Sequence, residues 1–262
     1  MSVITLTTDF GSRDWFVGAM KGVIASVDPN AKVVDITHDL APGDIRRGAF
    51  VLAAGYYCFP RGTVHVAVID PGVGSARPAI AVETNNYHFV GPDNGLLSWA
   101  LRNETIHRVC RLENSRYWRL PVSQTFHGRD IFAPVAAHLS LGVPIQSLGP
   151  AGDDFIRLPW PAPTADLREI RGEVMCVDHF GNAISNISAS NLPVNSMVDA
   201  RIAVRGHAAF RLAACYQAVK AGRPLGIIGS SGFLEIAVNA GHAAKRLRLK
   251  PGSSIVVRLN QA

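Results

Sequence analysis

Apolar runs of strand length alternate with segments of helical periodicity in the first half of the chain. The runs VITLTT (3–8), KVVDIT (32–37) and TVHVAVID (63–70) predict strands. Between the first two runs the apolar side chains recur at helical spacing, and the Asp-Pro pair at 28–29 ends that helix. Further strands are predicted over 79–84 and 106–112, and helices over 44–57, 95–102 and 130–141. This alternation predicts an α/β domain with a largely parallel central sheet over 1–150.

The pattern changes after residue 150. The stretch 151–168 is rich in proline and predicts a linker. Beyond it, short apolar runs broken by Gly, Asn and Ser predict strands over 171–178, 183–188, 197–205, 225–229, 233–238 and 253–259. In KRLRLK (245–250) basic and leucine residues alternate with a period of two, which predicts a strand with one buried face. Residues 169–262 are therefore predicted to form a smaller all-β domain, either a barrel or a sandwich.

Composition narrows the classes of partner. Hydrophobic residues make up 48% of the 262 residues and charged residues 18%, as in ordinary globular proteins. No apolar run approaches the roughly 20 residues that span a bilayer, so no membrane association is expected. The net charge of +6 raises the question of nucleic acid, but no aromatic side chains interleave with the basic residues of 245–250, so none is expected. The widely spaced cysteines indicate reduced thiols in a cytoplasmic protein: Cys58, Cys110, Cys176 and Cys215.

Polar clusters follow the predicted strands of the first domain, where open α/β sheets bind ligands. TTDFGSRD carries Asp9 and Asp14, DPGVGSAR carries Asp70 and Arg77, and TFHGRD supplies His127 just before a helix. Each residue alone also has a structural explanation, since a strand-terminal Asp caps turns and a lone His or Arg commonly serves packing.

Two further clusters fall in the second domain. VDHFGNAISNI (177–187) puts an acid, an aromatic ring and carboxamides in a strand–turn–strand unit, although turn chemistry alone also explains it. GSSGFLEIAVNAG (229–241) places backbone amides and hydroxyls in a Gly-flanked turn, which suits a carboxylate or a phosphate.

The combined motifs resemble those of one family. TTDFG, VIDPGVGSAR, GPDNGLL, TFHGRD, DHFGNAISNI and GSSGFLEIAVNA have the order and approximate spacing of the S-adenosyl-L-methionine (SAM) hydroxide adenosyltransferases, relatives of the fluorinases and chlorinases. The similarity runs from about residue 3 to 259. It implies an α/β domain followed by a β-rich domain, and a homotrimer that binds SAM between the first domain of one subunit and the second domain of its neighbour. It also implies that SAM is the substrate and that neither a cofactor nor a metal is needed.

The resemblance assigns the reacting set. The Asp–Arg–His set of the family falls on Asp70, Arg77 and His127, where the halogenases differ, so the implied nucleophile is water and not halide. The implied reaction is in-line attack of water on the ribose C5′, which releases adenosine and neutral methionine. Because the pKa of free water lies roughly 9 units above that of His, His127 cannot simply generate hydroxide. Either proton removal is concerted with attack, or Arg77 stabilises a hydroxide-like oxygen that His127 and Asp70 hold.

Substrate contacts follow from the same resemblance. Asp9 is expected to hold the ribose hydroxyls, Asp178 the methionine ammonium, and Ser230 the methionine carboxylate, while Ser231 stands where the halogenases have an Arg. Asp14 is given no role beyond helix capping. The other expected contacts line the adenine or the reacting centre: Phe126, Phe180, Asn182, Tyr216 and the backbone near Ala240.

Three alternative functions remain open at this point. One keeps the pocket but uses chloride or another halide as the nucleophile. Another is a SAM or adenosine sensor without turnover. The last is a metallohydrolase built on Asp9, Asp14, Asp70 and His127, which no HxH or HExxH spacing supports.

Overall fold

The first unit of the chain, Met1–Pro159, is built around a mixed β-sheet. The structure, a computed structural model, describes residues 2–152, 154–193 and 200–259. Within these residues the sheet has the order β2–β1–β3–β5–β4–β6. The neighbours from β2 to β5 pair in parallel, and β4 pairs antiparallel with both β5 and β6, so the predicted α/β class with a largely parallel sheet is confirmed. The strands are β1 (Val3–Thr8), β2 (Lys32–Thr37), β3 (Val64–Val68), β4 (Ala79–Thr84), β5 (His88–Pro92) and β6 (Ile106–Arg111).

Four helices accompany the described strands of this sheet: α1 (Phe16–Val27), α2 (Ile45–Gly55), α3 (Ser98–Leu101) and α4 (Ala133–Ser140). The apolar stripe of α1 buries Met20 and Ile24 in one core with Ile4 and Leu6 of β1. Full burial of such a side chain contributes roughly 1.5–3 kcal/mol, so this stripe holds α1 on the sheet. A π-helical turn at Gly128–Phe132 leads directly into α4.

The starts of α1 and α2 differ in their caps. The side chain of Asp44 accepts the N–H of Arg47 (2.9 Å), which satisfies one of the amides that a helix start leaves open. The N-cap position of α1 is Trp15, whose side chain makes no capping bond. Asp14 therefore does not occupy the capping position that the sequence analysis expected.

The second unit, Trp160–Ala262, holds one antiparallel sheet in its described residues. Its order is β11–β10–β14–β8–β9–β13–β12, with β7 added at β8. The two ends of this order meet where Leu212 bridges to Gly226, which nearly closes the sheet into a barrel. The strands are β7 (Thr164–Ala165), β8 (Glu169–Val177), β9 (Ala183–Ser188), β10 (Arg201–Val204), β11 (Phe210–Arg211), β12 (Pro224–Ile228), β13 (Phe233–Val238) and β14 (Ser254–Arg258).

The strand predicted over 245–250 is wrong. Residues Ala243–Leu247 form a short helix, α5, whose N-cap His242 accepts the N–H of Lys245 (3.2 Å). The helix ends at Arg248, which has a left-handed backbone (φ 54°). The reversal after Leu247 returns Leu249 to the core, so both leucines are buried without a strand. Of the strand predicted over 197–205, positions 197–199 lie outside the described residues.

None of the helices in the described part of the chain is long and apolar enough to span a membrane.

Candidate active site

The loop that follows β3 brings a carboxylate and a guanidinium together. Asp70 lies just beyond the end of β3, and a turn closed by the N–H of Val73 and the carbonyl of Asp70 (3.2 Å) folds the chain back. Arg77 donates from Nε to Oδ1 of Asp70 (3.0 Å) and from Nη2 to Oδ2. Both side chains are nearly buried, at 10% exposure for Arg77 and 4% for Asp70. The bidentate geometry fixes the orientation of the guanidinium.

Gly74 allows this loop to pack against the segment that carries His127. Its backbone is left-handed (φ 76°), and a Cβ at this position would overlap the carbonyl oxygen of Gln124. His127 follows Gln124 closely in the chain, so this close packing also brings His127 near the loop that carries Arg77. Nη2 of Arg77 lies 3.1 Å from Nδ1 of His127.

The contact between Arg77 and His127 determines the tautomer of the histidine. A guanidinium nitrogen only donates, so Nδ1 accepts and the neutral imidazole carries its proton on Nε2. Burial lowers the pKa of His127 below its ordinary 6.5, and the charge of Arg77 lowers it further, while Asp70 and Asp130 act in the opposite direction. The site therefore presents the guanidinium of the Arg77–Asp70 ion pair beside a neutral imidazole.

Asp9 lies at the same edge of the sheet. It follows β1 directly, and because Thr8 pairs with Val68, β1 and β3 end side by side. The N–H of Gly43 donates to Oδ2 of Asp9 (2.7 Å), which orients the carboxylate. A Cβ at Gly43 would lie 4.0 Å from that of Pro71, so the Gly43 turn packs beside the loop that begins with Asp70.

Phe126 belongs to an aromatic cluster next to His127. It is buried, and its ring makes edge contacts with Phe10, Phe16 and Trp15 at centroid distances of 5.7, 5.2 and 5.7 Å. Arg129 lies over its other side, 5.1 Å from the ring centroid. This packing gives His127 a rigid apolar neighbour in the chain.

The second unit contains a cavity of about 400 Å³. Its lining includes the predicted residues Phe180, Asn182, Tyr216 and Ala240, together with Val238 and Gly241. Ala240 has a left-handed backbone (φ 51°), which costs energy for a residue with a Cβ and is typical of binding sites. Phe180 is largely exposed, so its ring is an open wall and not a core residue.

Asp178 and Asn182 form one unit at this cavity. Oδ1 of Asp178 accepts the backbone N–H of Asn182 (2.7 Å), and Oδ2 accepts its side-chain Nδ2 (3.0 Å). The carboxylate thus holds a cavity-lining amide in a fixed orientation.

Ser230 and Ser231 lie in a tight turn, closed by the N–H of Gly232 and the carbonyl of Gly229 (2.9 Å). Ser230 is exposed, whereas Oγ of Ser231 is buried without a hydrogen-bond partner among the residues described. Neither serine is part of the cavity lining given above.

One acidic residue of this region was missed by the sequence analysis. Glu235 in β13 is only 7% exposed, and the hydroxyl of Tyr216 donates to its Oε2 (3.4 Å). Burial raises the pKa of Glu235, and the charge of Asp178 raises it further. The signal was present in FLEIAV, where a single acid interrupts an apolar strand run.

Two other features lie apart from these residues. Across 2–152, 154–193 and 200–259, no three side chains of His, Cys, Asp or Glu are grouped as a metal site would need. A cleft of about 720 Å³ in the second unit is lined by Arg205, Arg246 and Arg248, and it includes none of the predicted site residues.

Comparison with known proteins identifies relatives over the whole chain. The sequence models of the SAM hydroxide adenosyltransferase N-terminal and C-terminal domains match residues 4–149 and 172–256. A protein of Salinispora tropica named (R)-S-adenosyl-L-methionine hydrolase is 43% identical over 97% of each chain. A fluorinase of Actinoplanes is 26% identical over 97% of each chain. The crystal structure of an uncharacterised conserved protein of Thermotoga maritima is 37% identical and superposes with a TM-score of 0.93, covering 97% of this chain and 99% of that one.

Matches to both domains of one family and high identity to a full-length relative agree with the order of the motifs along the chain. The protein belongs to the SAM hydroxide adenosyltransferase family.

Proposed function

We propose that this protein hydrolyses SAM to adenosine and L-methionine. The observation that carries the proposal is the contact of Asp70, Arg77 and His127 in a chain 43% identical to a relative named (R)-S-adenosyl-L-methionine hydrolase. The fluorinase relative is more distant, at 26% identity. These identities favour water over halide as the nucleophile.

The reaction forms a bond from the water oxygen to C5′ of the ribose and breaks the bond from C5′ to sulfur. The electron pair of that bond passes to the sulfonium, which leaves as a neutral thioether, so the leaving group needs no acid. One proton of the water is released overall. The chemical difficulty is therefore the nucleophile, whose oxygen must carry more negative charge than free water does.

The tautomer of His127 bears on how that oxygen is activated. With Nδ1 engaged by Arg77, the neutral ring offers a donor on Nε2 and not a base. Of the five N–H donors of Arg77, four are directed at Asp70, Pro78 and His127, and one remains on Nη1. Two oriented donors, one of them on a guanidinium, favour a hydroxide-like oxygen over concerted proton removal by His127. Asp70 holds the guanidinium in place.

The remaining residues are proposed to hold SAM. Asp9, oriented by Gly43, keeps lone pairs for the two ribose hydroxyls. Asp178 receives the ammonium and Ser230, beside Ser231, the carboxylate. Phe126 borders the reacting carbon, and the cavity of the second unit takes the adenine between Phe180, Asn182, Tyr216 and the backbone of Ala240.

The proposal extends to assembly and location. The protein is proposed to be a cytoplasmic homotrimer with sites at subunit interfaces, working without a cofactor or metal. The free state of all four cysteines supports a reducing compartment. Light scattering of the purified protein is expected to give the mass of three chains, and a monomer would contradict the interface site.

Incubation with SAM in oxygen-18 water tests the reaction itself. We expect equal amounts of adenosine and methionine, with the label in the adenosine 5′-hydroxyl.

His127→Ala and Asp70→Ala should each abolish adenosine release while SAM still binds, because both lose the oriented donors and not the binding contacts. Formation of 5′-chloro-5′-deoxyadenosine would indicate a halogenase, and tight binding without turnover a sensor. Near-normal turnover in either variant would remove that residue from the mechanism.

A further inference from the structure

Glu235 lies directly behind a wall of the cavity in the second unit. It is in the middle of β13, where it pairs with Ile227 of β12 and Ile184 of β9. The hydroxyl of Tyr216, whose ring lines the cavity, donates to Oε2 of Glu235 (3.4 Å). The carboxyl is therefore one side chain away from whatever the cavity holds.

The surrounding backbone is shaped to admit this carboxyl. A Cβ at Gly229 would overlap Oε1 of Glu235, so only glycine at that position leaves room for the acid. Its cross-strand neighbours Ile184 and Ile227 are apolar. Burying a carboxyl in such surroundings costs free energy that an apolar residue would not, which points to a role beyond packing.

A second acid acts on the same region. The charge of Asp178 raises the pKa of both Glu235 and Tyr216, and its carboxylate accepts from the cavity-lining Asn182. The charge of Asp178 thus raises the pKa of Glu235, whereas the hydrogen bond from Tyr216 lowers it. A ligand that brings a positive charge close to Asp178 would be attracted by the negative charge of both acids, whereas a neutral ligand would not.

We propose that Glu235 is a specificity-determining residue, which with Asp178 makes the binding region of the second unit favour a cationic adenosyl substrate over the neutral nucleoside product. The inference rests on the proposed function, because SAM carries a sulfonium and an ammonium that adenosine lacks. Its consequence is that product leaves without competing strongly with substrate. Glu235 acts through its charge behind Tyr216 and does not need to touch the ligand.

Calorimetric binding of SAM and of adenosine tests the proposal. Glu235→Gln keeps the shape and an acceptor for Tyr216 but removes the charge. We expect it to weaken SAM binding roughly three- to tenfold while adenosine binding stays the same. Glu235→Asp should retain much of the wild-type ratio of the two affinities. Equal loss for both ligands would mean a structural role only, and no change in the ratio would overturn the proposal.

A matched control exists in the first unit. The hydroxyl of Tyr56 donates to Oε1 of Glu104 (3.2 Å), the same pair of groups in an unrelated place. Glu104→Gln should leave the affinity ratio unchanged. If Glu235→Gln does not fold, the wild-type protein still decides: because the pKa of Glu235 is raised, the ratio of SAM to adenosine affinity should rise with pH above the ordinary carboxyl value as Glu235 ionises, and a flat ratio contradicts the proposal.

The two proposals fail in different ways. A wild-type protein that forms no adenosine from SAM refutes the proposed function. A wild-type protein that hydrolyses SAM, with an affinity ratio that does not depend on Glu235, refutes only this inference.

Discussion

Two aspartates of the first unit are each held by arginine, yet their surroundings differ. Asp130 is fully buried and accepts from Nε of Arg129 (2.7 Å), from Nη1 of Arg119 (3.2 Å) and from the N–H of Ser123 (2.9 Å). Burial acts to raise the pKa of Asp130, but the donors from Arg129 and Ser123 outweigh it, so the pKa is lowered. The hydrogen bonds of this buried carboxylate stabilise the local fold.

Among the residues that the structure describes, the carboxylate of Asp70 is held by a single arginine. Both of its oxygens accept from Arg77, and the same guanidinium continues to Nδ1 of His127. The arginines that bind Asp130 stabilise the local fold. Arg77, which also contacts the neutral imidazole of His127, can in addition act on a bound molecule. The comparison therefore separates an arginine that serves the fold from one that serves chemistry.

Exchanging each arginine for lysine should give the largest difference in effect between the two ion pairs. Arg77→Lys keeps the charge but loses the fork that holds Asp70 and reaches His127, so we expect kcat to fall by roughly 100- to 1,000-fold with little change in KM. Arg129→Lys loses the same kind of fork at Asp130. We expect it to cost about 1–2 kcal/mol in the free energy of unfolding and to leave kcat within a few-fold of wild type.

Steady-state kinetics and urea unfolding on both variants give the answer. A large loss of kcat in Arg129→Lys, or a normal kcat in Arg77→Lys, would reverse the assignment of the two pairs.

The sequence predicted one of these aspartates but not the contrast between them. Asp70 and His127 were predicted from strand ends and motifs, and the return of Arg77 towards Asp70 follows from the glycine-rich loop. The motif TFHGRD also contains Asp130, but it does not show that the side chains of Arg129 and Arg119 and the backbone N–H of Ser123 would all donate to that carboxylate. Whether a buried carboxylate finds enough hydrogen-bond donors depends on its surroundings in the fold and not on its residue type.

The errors of pattern reading have similar physical causes. The alternation in 245–250 is produced by a helix end followed by a left-handed turn, which buries Leu247 and Leu249 as a strand would. Strand β5 was missed because its last two residues, Gly91 and Pro92, are typical of a turn. Glu235 was missed because its proposed role depends on Tyr216 and Asp178, which are distant in the sequence.

The pKa of His127 offers the finest test of this difference, because Arg77 and Asp130 act on it with opposite signs. The charge of Arg77 lowers this pKa, and the charge of Asp130 raises it. Arg77→Gln should therefore raise the pKa of His127 and Asp130→Asn should lower it. The measurement is the titration of the His127 ring proton by NMR, with the exposed Asp154→Asn as a control that should not move it.

The pH profile of the wild-type enzyme follows from the same sign. Below its lowered pKa the imidazole is protonated, so Nδ1 can no longer accept from Arg77 and two positive charges face each other. We expect kcat to be constant near pH 7 and to fall by about tenfold per pH unit on an acid limb whose midpoint lies below the ordinary histidine value. A midpoint above 6.5, or pKa shifts of the same sign in Arg77→Gln and Asp130→Asn, would contradict the electrostatic effects of Arg77 and Asp130 on His127.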